Sequence, residues 1–288
     1  MRPPDFIGIG MSKCGTSWLD EVLRRHPGVS MPPVKEVHFF DDYHRLVLRG
    51  DRSRYFSHDS YSRRRWRHYL KAQVKRAARY PSIENLSWAY RFLFARRDYA
   101  WYCSLFDGRT DVIRGEITPD YAVIEQDAIS EMRRRLPNVK VLLLLRNPVE
   151  RLWSHAKMEL ALRRKRHVFE ISEQELRTFL FEDEGVAKRV GYERIVKTWS
   201  SVFGDGLFVG LYDEVKAAPE ALVRQLWEFI GLSPVDLPED VYRKVVFEGP
   251  RASMPGDLRS QLVARYAPEV EFVAEYLGMP ELVSRWSR

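Results

Sequence analysis

The sequence predicts an α/β fold, a doubly wound parallel sheet flanked by helices. Three observations carry this. Apolar runs of strand length alternate along the chain with segments of helical period. One of them, VKVLLLLR (Val139 to Arg146), is continuously apolar, as in a parallel strand buried on both faces. The first, DFIGIG, ends in glycine just before a helical pattern, the turn at which open α/β sheets bind ligands.

Taken in order, DFIGIG is a strand followed by a helix from about Thr16 to Arg25. DVIRGEI is a second strand, followed after a Thr118-Pro119 turn by a helix around Gln126 to Leu136. The Val139 to Arg146 strand leads into a helix from about Val149 to Leu162. GLFVGLY (Gly206 to Tyr212) is a further buried strand, and the helix after it runs through EALVRQLWEFIGL to Gly231. Two insertions, at about 42–111 and 163–199, read mainly as helices. With no internal repeat, low-complexity tract or linker, one domain over residues 1–288 is expected, with helical insertions and ligands at the C-terminal ends of the strands.

A chain of 288 residues with 45% hydrophobic content can bury a full core. Two cysteines, Cys14 and Cys103, make no disulfide framework and point to a reducing compartment. No signal-peptide pattern opens the chain, and no stretch approaches the roughly 18 apolar residues of a membrane span. A soluble, cytoplasmic protein is expected. The net charge of +7 is local in origin: eight bases and no acid fall between Ser60 and Ile83, in a segment (Arg63 to Arg79) with helical spacing of its apolar residues. A solvated cationic helix face explains it better than a nucleic-acid or membrane patch; a wall guiding an anionic acceptor is the third reading.

The stretch IGIGMSKCGTSWLDEVL approaches the phosphate-loop pattern G-x-x-x-x-G-K-[ST], but Gly15 is followed by Thr16 and Ser17, and the lysine stands inside the loop as Lys13. Placed between a strand and a helix, this P-loop-like turn offers successive backbone N–H groups, the positive helix end and two hydroxyls to an anion. Lys13 would lie alongside the phosphate and neutralise charge on a bridging or leaving oxygen, with no need of a metal. A phosphatase reading of Cys14 fails, because Asp20 stands where C-x5-R requires arginine. A P-loop small-molecule kinase is the alternative, and it calls for a lysine directly after Gly15 and an aspartate at the end of a strand.

A second constellation is LLLLRNPVERLWSHAKM. Arg146 ends a strand and Ser154 lies one to two turns into the next helix, so the two can converge on a second phosphate. Equally, Arg146 can cap the strand end by pairing with Glu150 or Glu159. Two strand-end anion sites suit a nucleotide phosphorylated at both its 5′ and 3′ ends.

These stretches resemble the sulfotransferases that use 3′-phosphoadenosine 5′-phosphosulfate (PAPS). KCGTSWL is similar to the family's 5′-phosphosulfate loop, and RNPVERLWS to its 3′-phosphate element R-[DN]-P-x-x-R-x-x-S. PPVKEVHFFD resembles the KE-x-HFFD segment of the heparan sulfate sulfotransferase branch and its bacterial relatives. GEITPDY is similar to the family's GE-K-[ST]-P-x-Y turn, and GYERIVKTWSSVFG with LYDEV and FIGL to its C-terminal half. The resemblance implies that Lys13, Cys14, Gly15, Thr16, Ser17 and Trp18 hold the 5′ end of the donor, and that Arg146 and Ser154 hold its 3′-phosphate. Arg251, in EGPRASMP, takes the place of a basic closing loop whose usual K-G-R wording is missing. Ile117 stands where heparan-type enzymes carry lysine, which argues against a heparan-like polysaccharide. Glu36 is implied as the base. In an extended chain His38 would face the same side, so it either shares that role or orients its neighbours.

The implied reaction is in-line sulfuryl transfer from PAPS, without metal, to a hydroxyl (or less readily an amine) of a glycan, glycolipid or hydroxylated small molecule. No nucleic-acid partner is expected. Peripheral membrane contact stays open, and the sequence leaves the oligomeric state unassigned.

Overall fold

The computed structural model describes residues 2–41, 82–106, 108, 111–164, 172–243 and 253–287, together with residues 70, 71, 75 and 79. Five strands form one sheet: β1 (Phe6–Gly10), β2 (Val29–Ser30), β3 (Ile113–Ile117), β4 (Lys140–Leu145) and β5 (Leu207–Leu211). Their order is β2-β3-β1-β4-β5, and every pairing is parallel. Ile7 of β1 stands opposite Glu116 on one side and Val141 on the other, and Leu142 of β4 stands opposite Phe208.

From Val141 to Leu145 every residue of β4 is buried, so the sheet must be covered by helices on both faces. The covering helices are α1 (Thr16–Arg25), α2 (Ile83–Phe94), α3 (Tyr99–Ser104), α4 (Gln126–Arg135), α5 (Pro148–Arg164), α6 (Glu173–Glu182) and α7 (Glu184–Val190). They continue as α8 (Tyr192–Phe203), α9 (Tyr212–Ala217), α10 (Pro219–Phe229), α11 (Glu239–Arg243), α12 (Gly256–Leu277) and α13 (Glu281–Trp286). Trp18, Leu19, Val22 and Leu23 of α1 are buried at helical spacing. The start of α5 is written in its sequence: Pro148 occupies the first turn, and Asn147 Oδ1 accepts from the N–H groups of Val149 and Glu150. Leu152 and Trp153 on α5 pack with Phe179 and Leu180 of α6 and with Leu258 and Leu262 of α12, a second core beside the sheet.

The four strand-and-helix pairs read from the sequence are present, each helix end within about three residues of its expected place. Where described, both expected insertions are helical, as α2, α3 and α6 to α8. The sequence reading did not anticipate β2, a two-residue strand inside HPGVSMPP.

From β1 the chain departs towards β2, and from β4 towards β5. These adjacent strands therefore send the chain in opposite directions, and a crevice opens at their C-terminal ends. Trp286 of α13 pins two of the exits. Its main-chain oxygen accepts from Asn147 Nδ2 at 2.8 Å, and its Nε1 donates to Asp213 of α9 at 3.1 Å. Among the described residues no helix is long and apolar enough to cross a membrane.

Candidate functional site

A cavity of about 770 Å³ occupies this crevice, within the size range of sites for small ligands and cofactors. Its floor is the loop between β1 and α1. Gly15 is the N-cap of α1 at φ +82°, and no side chain caps the helix. The N–H groups of Thr16, Ser17 and Trp18, in the first turn, have no carbonyl one turn back and are ready for an anion. Glycine is required at position 15 twice over: its φ is left-handed, and a Cβ there would stand 2.8 Å from Cδ2 of Tyr212.

Cations converge on this floor. Lys13, itself at φ +71°, lines the cavity with its Nζ 3.9 Å from Sδ of Met158. Its pKa is lowered, first by burial and then by repulsion from Arg146, Lys157 and Lys35. Lys35 donates to Oγ1 of Thr16 at 3.3 Å and to Oγ of Ser17 at 3.2 Å. Behind the loop Arg151 is fully buried, with its charge acting on Cys14 and Tyr192. Positive charges crowded to the point of mutual repulsion around an uncapped helix N-terminus describe an anion site.

Arg146, just past β4, lines the same cavity together with Ser154 of α5. Its guanidinium lies over the ring of Tyr212, 4.7 Å from the centroid, and donates to the main-chain oxygen of Lys13 at 3.2 Å. The pairing with Glu150 offered by the sequence is present but long, at 3.8 Å, and Glu150 has a nearer cation in Arg259 at 2.7 Å. The charge of Arg146 is therefore left mainly to the cavity.

On the opposite wall stands Glu36. The chain here departs from the extended form expected from its sequence: Glu36 and His38 have φ of +68° and +56°, each costing about 1–3 kcal/mol. Glu36 faces the cavity, while the His38 side chain is 2% exposed and sits behind it. His38 Nδ1 meets Asp41 Oδ2 at 2.5 Å, and its Nε2 lies 3.6 Å from Glu36 Oε2. Lys35 Nζ donates to Glu36 Oε1 at 3.3 Å. Burial by itself would raise the Glu36 carboxyl, but the contact with His38 and the charge of Lys35 outweigh it and hold the pKa at about 2.

The structure thus brings Lys13, Gly15, Thr16, Ser17, Trp18, Glu36, Arg146 and Ser154 to one cavity. Trp18 joins as wall, its indole N–H given to the carbonyl of Tyr242 at 2.8 Å. Cys14 is not brought there: its side chain is fully buried, its N–H is bonded to Met11, and burial pushes its thiol up to about 12. Ile117 is buried within the sheet, packed so closely on Gly8 that a Cβ there would meet it at 2.8 Å. Arg251, and all of the Arg63 to Arg79 segment except residues 70, 71, 75 and 79, lie outside the described residues. Sequence reasoning missed the bridging role of Lys35, the platform of Tyr212 and the anchoring carboxylate of Asp41. Tyr212 follows directly on β5, and a residue at the C-terminal end of a parallel strand is a signal that could have found it.

A family model described as the sulfotransferase family matches residues 4–236. Among solved structures, a sulfotransferase from Alicyclobacillus acidocaldarius superposes over 100% of both chains, with a TM-score of 0.66 and 26% identity. A sulfotransferase domain from the curacin biosynthetic pathway aligns with 84% of this chain and 77% of its own, with a TM-score of 0.54 at 15% identity, a likeness of fold. Of curated proteins, carbohydrate sulfotransferase 15 of Rattus norvegicus is 31% identical over 166 residues, 52% of this chain and 26% of that protein. The membrane-associated sulfotransferase kil1 of Dictyostelium discoideum is 26% identical over 148 residues, 51% of this chain and 21% of that protein. The matches span about a quarter or less of those two relatives' length.

Proposed function

The chain belongs to the sulfotransferase family, and from that membership we propose that it moves the sulfuryl group of PAPS to a hydroxyl of a glycan, glycolipid or hydroxylated small molecule. One observation carries the reading: Lys13, Lys35 and Arg146 surround an uncapped helix N-terminus in a single cavity at the β1/β4 crevice. We read residues 1–288 as one sulfotransferase domain. Two buried cysteines, neither in a disulfide, fit a reducing, cytoplasmic setting.

The donor supplies an activated sulfuryl group, and the chain's task is to hold it and balance charge. The first-turn N–H groups and the hydroxyls of Thr16 and Ser17 bind its 5′ end, while Arg146 and Ser154 take its 3′-phosphate. Lys13, its pKa already lowered by burial and then by its cationic neighbours, regains a full partner when negative charge grows on the departing oxygen. Glu36 receives the acceptor proton. A carboxylate with a pKa of about 2 is a weak base towards a resting alcohol, but a hydroxyl becomes strongly acidic once its oxygen bonds to sulfur. Transfer late in the reaction therefore suits it. His38, held by Asp41, orients Glu36 and disperses the charge.

A kinase is disfavoured by the same residues, because the lysine sits inside the loop and the strand next to β1 is followed by Arg146 where a magnesium ligand would be needed. The test is thermal. Adenosine 3′,5′-bisphosphate is expected to raise the melting temperature well above the effect of 5′-AMP or ATP at equal concentration. Equal stabilisation by ATP with magnesium would sink the sulfotransferase reading. A screen with labelled donor then identifies the acceptor by which compound gains sulfate.

A further inference from the structure

The GEITPDY turn holds a buried carboxylate that the proposed reaction does not use. Glu116, on β3, is 1% exposed. Four donors converge on it: the hydroxyls of Tyr102 at 2.6 Å, Thr118 at 2.7 Å and Tyr121 at 3.2 Å, and the main-chain N–H of Val37 at 3.3 Å. A carboxylate taken out of water needs such partners, but their identity is informative. Val37 lies between Glu36 and His38. Tyr121, while donating to Glu116, accepts from the N–H groups of Phe39 at 2.8 Å and Phe40 at 3.4 Å. Glu36 N itself donates to the carbonyl of Ile117, the next residue along β3, at 3.0 Å. The backbone of the 36–40 turn is thus bonded, almost residue by residue, to Glu116 and its neighbours.

That turn needs holding. Glu36 and His38 both sit in the left-handed region that side-chain-bearing residues avoid. Relaxation of either would swing the Glu36 carboxylate out of the cavity or break the 3.6 Å approach of His38. A flexible lysine or surface pair could not supply this restraint. A rigid strand residue that accepts from Val37 N and fixes a tyrosine hydroxyl can.

We propose that Glu116 is a positioning residue for the reaction, fixing the strained 36–40 turn through Val37 and Tyr121 so that Glu36 meets the acceptor with His38 behind it. The inference rests on the sulfuryl-transfer reading, in which Glu36 receives the proton. Glu116 touches neither donor nor acceptor and acts through the main chain. Glutamine in its place retains the volume but offers one acceptor oxygen and two donor hydrogens. No orientation of the amide serves all four donors with their present polarity.

The experiment uses the full chain and needs no identified acceptor. Release of inorganic sulfate from labelled donor, with water as acceptor, is measured for wild type, Glu116→Gln and Tyr121→Phe across pH. The shift in melting temperature produced by adenosine 3′,5′-bisphosphate is measured on the same samples. For both variants the bisphosphate shift is expected to match wild type, because the donor loop is untouched. Turnover is expected to fall roughly 10–100-fold with donor KM within about twofold, the loss typical of a misplaced catalytic group. The acid limb of the profile is expected to move to higher pH as Glu36 loses His38, which a merely structural role would not cause. Should Glu116→Gln fail to fold, Tyr121→Phe carries the test, since it removes one hydroxyl and keeps the ring. A folded variant with wild-type turnover and an unmoved pH profile overturns the proposal. If wild type gains no stability from the bisphosphate and releases no sulfate, the sulfotransferase reading fails instead. The proposal is then decided by the His38 Nδ1 proton in NMR spectra, whose resonance must shift in both variants if the turn depends on Glu116 and overturns the proposal if it stays fixed.

Discussion

Arg146 donates through Nη1 to the main-chain oxygen of Lys13 at 3.2 Å, and this bond ties the exit of β4 to the loop that leaves β1. The residue proposed for the 3′-phosphate therefore also shapes the loop proposed for the 5′ end. Arg146→Ala is expected to abolish the preference for adenosine 3′,5′-bisphosphate over 5′-AMP, since a hydrogen bond to a charged group is worth about 1.5–3 kcal/mol. Because the loop loosens too, 5′-AMP binding should weaken as well, by a smaller factor. Calorimetric titration of the two nucleotides reads both effects.

Glu36→Gln keeps the shape of the side chain and removes its capacity to take a proton. Turnover is expected to fall roughly 10²–10⁴-fold with bisphosphate binding near wild type. Burial opposes ionisation of Glu36, yet His38 and Lys35 hold its pKa at about 2 against an ordinary 4.5. The carboxylate thus stays ionised as pH falls until about 2, and its stabilising contribution, complete above about 4.5, is lost across that window. His38→Asn removes the larger of the two lowering contacts, so the acid limb of the pH–rate profile should move upward. A limb unmoved by His38→Asn would count against the assigned roles.

Gly15→Ala places a methyl group 2.8 Å from the Tyr212 ring at a φ of +82°. Strain and overpacking together are expected to cost about 2–4 kcal/mol, seen as a lowered midpoint in urea. The bisphosphate shift should shrink, since Tyr212 is also the platform beneath Arg146. Gly15→Ala combined with Tyr212→Ala should recover part of the stability, because the clash is gone while the backbone strain stays.

Cys14 is fully buried with its thiol pushed up to about 12, so it should behave as a small apolar residue. Alkylation by iodoacetamide at pH 8 is expected to be slow in the folded protein and fast after unfolding. Cys14→Ala should leave turnover near wild type. Rapid labelling of the native protein with matching loss of activity would show a reactive thiol instead.

Much of this was legible in the sequence for identifiable reasons. The Val139 to Arg146 run could only be a doubly buried strand, and Asn147-Pro148 writes its own helix start. The two proposed anion sites follow, because the turn from β1 into α1 closes on Gly15 and Arg146 sits immediately beyond the end of β4. What the sequence hid was geometry that breaks local period. The two-residue β2 is too short to alternate. The positive φ at Glu36 and His38 defeats the same-side rule for extended chains, so the inward place of His38 could not be deduced from its spacing. Cys14, in a loop whose neighbouring residues line the cavity, has its sulfur buried in the core, and its neighbours Lys13 and Gly15 both bend the backbone through left-handed conformations.

The bond from Asn147 to Trp286 spans 139 positions of the chain, and this sets a timetable for the cavity. The strand, the arginine and the helix cap at one edge of the crevice are synthesised and can fold locally, while the tryptophan that clamps them is still many codons away. The β1–β4 pairing already closes a loop nearly as long, so the contact is delayed by its place in the chain rather than by its span, since α13 follows every other element around the cavity. During synthesis the sheet should accordingly mature before the pocket does. A chain halted between those two moments would look native by circular dichroism and yet fail to retain the nucleotide.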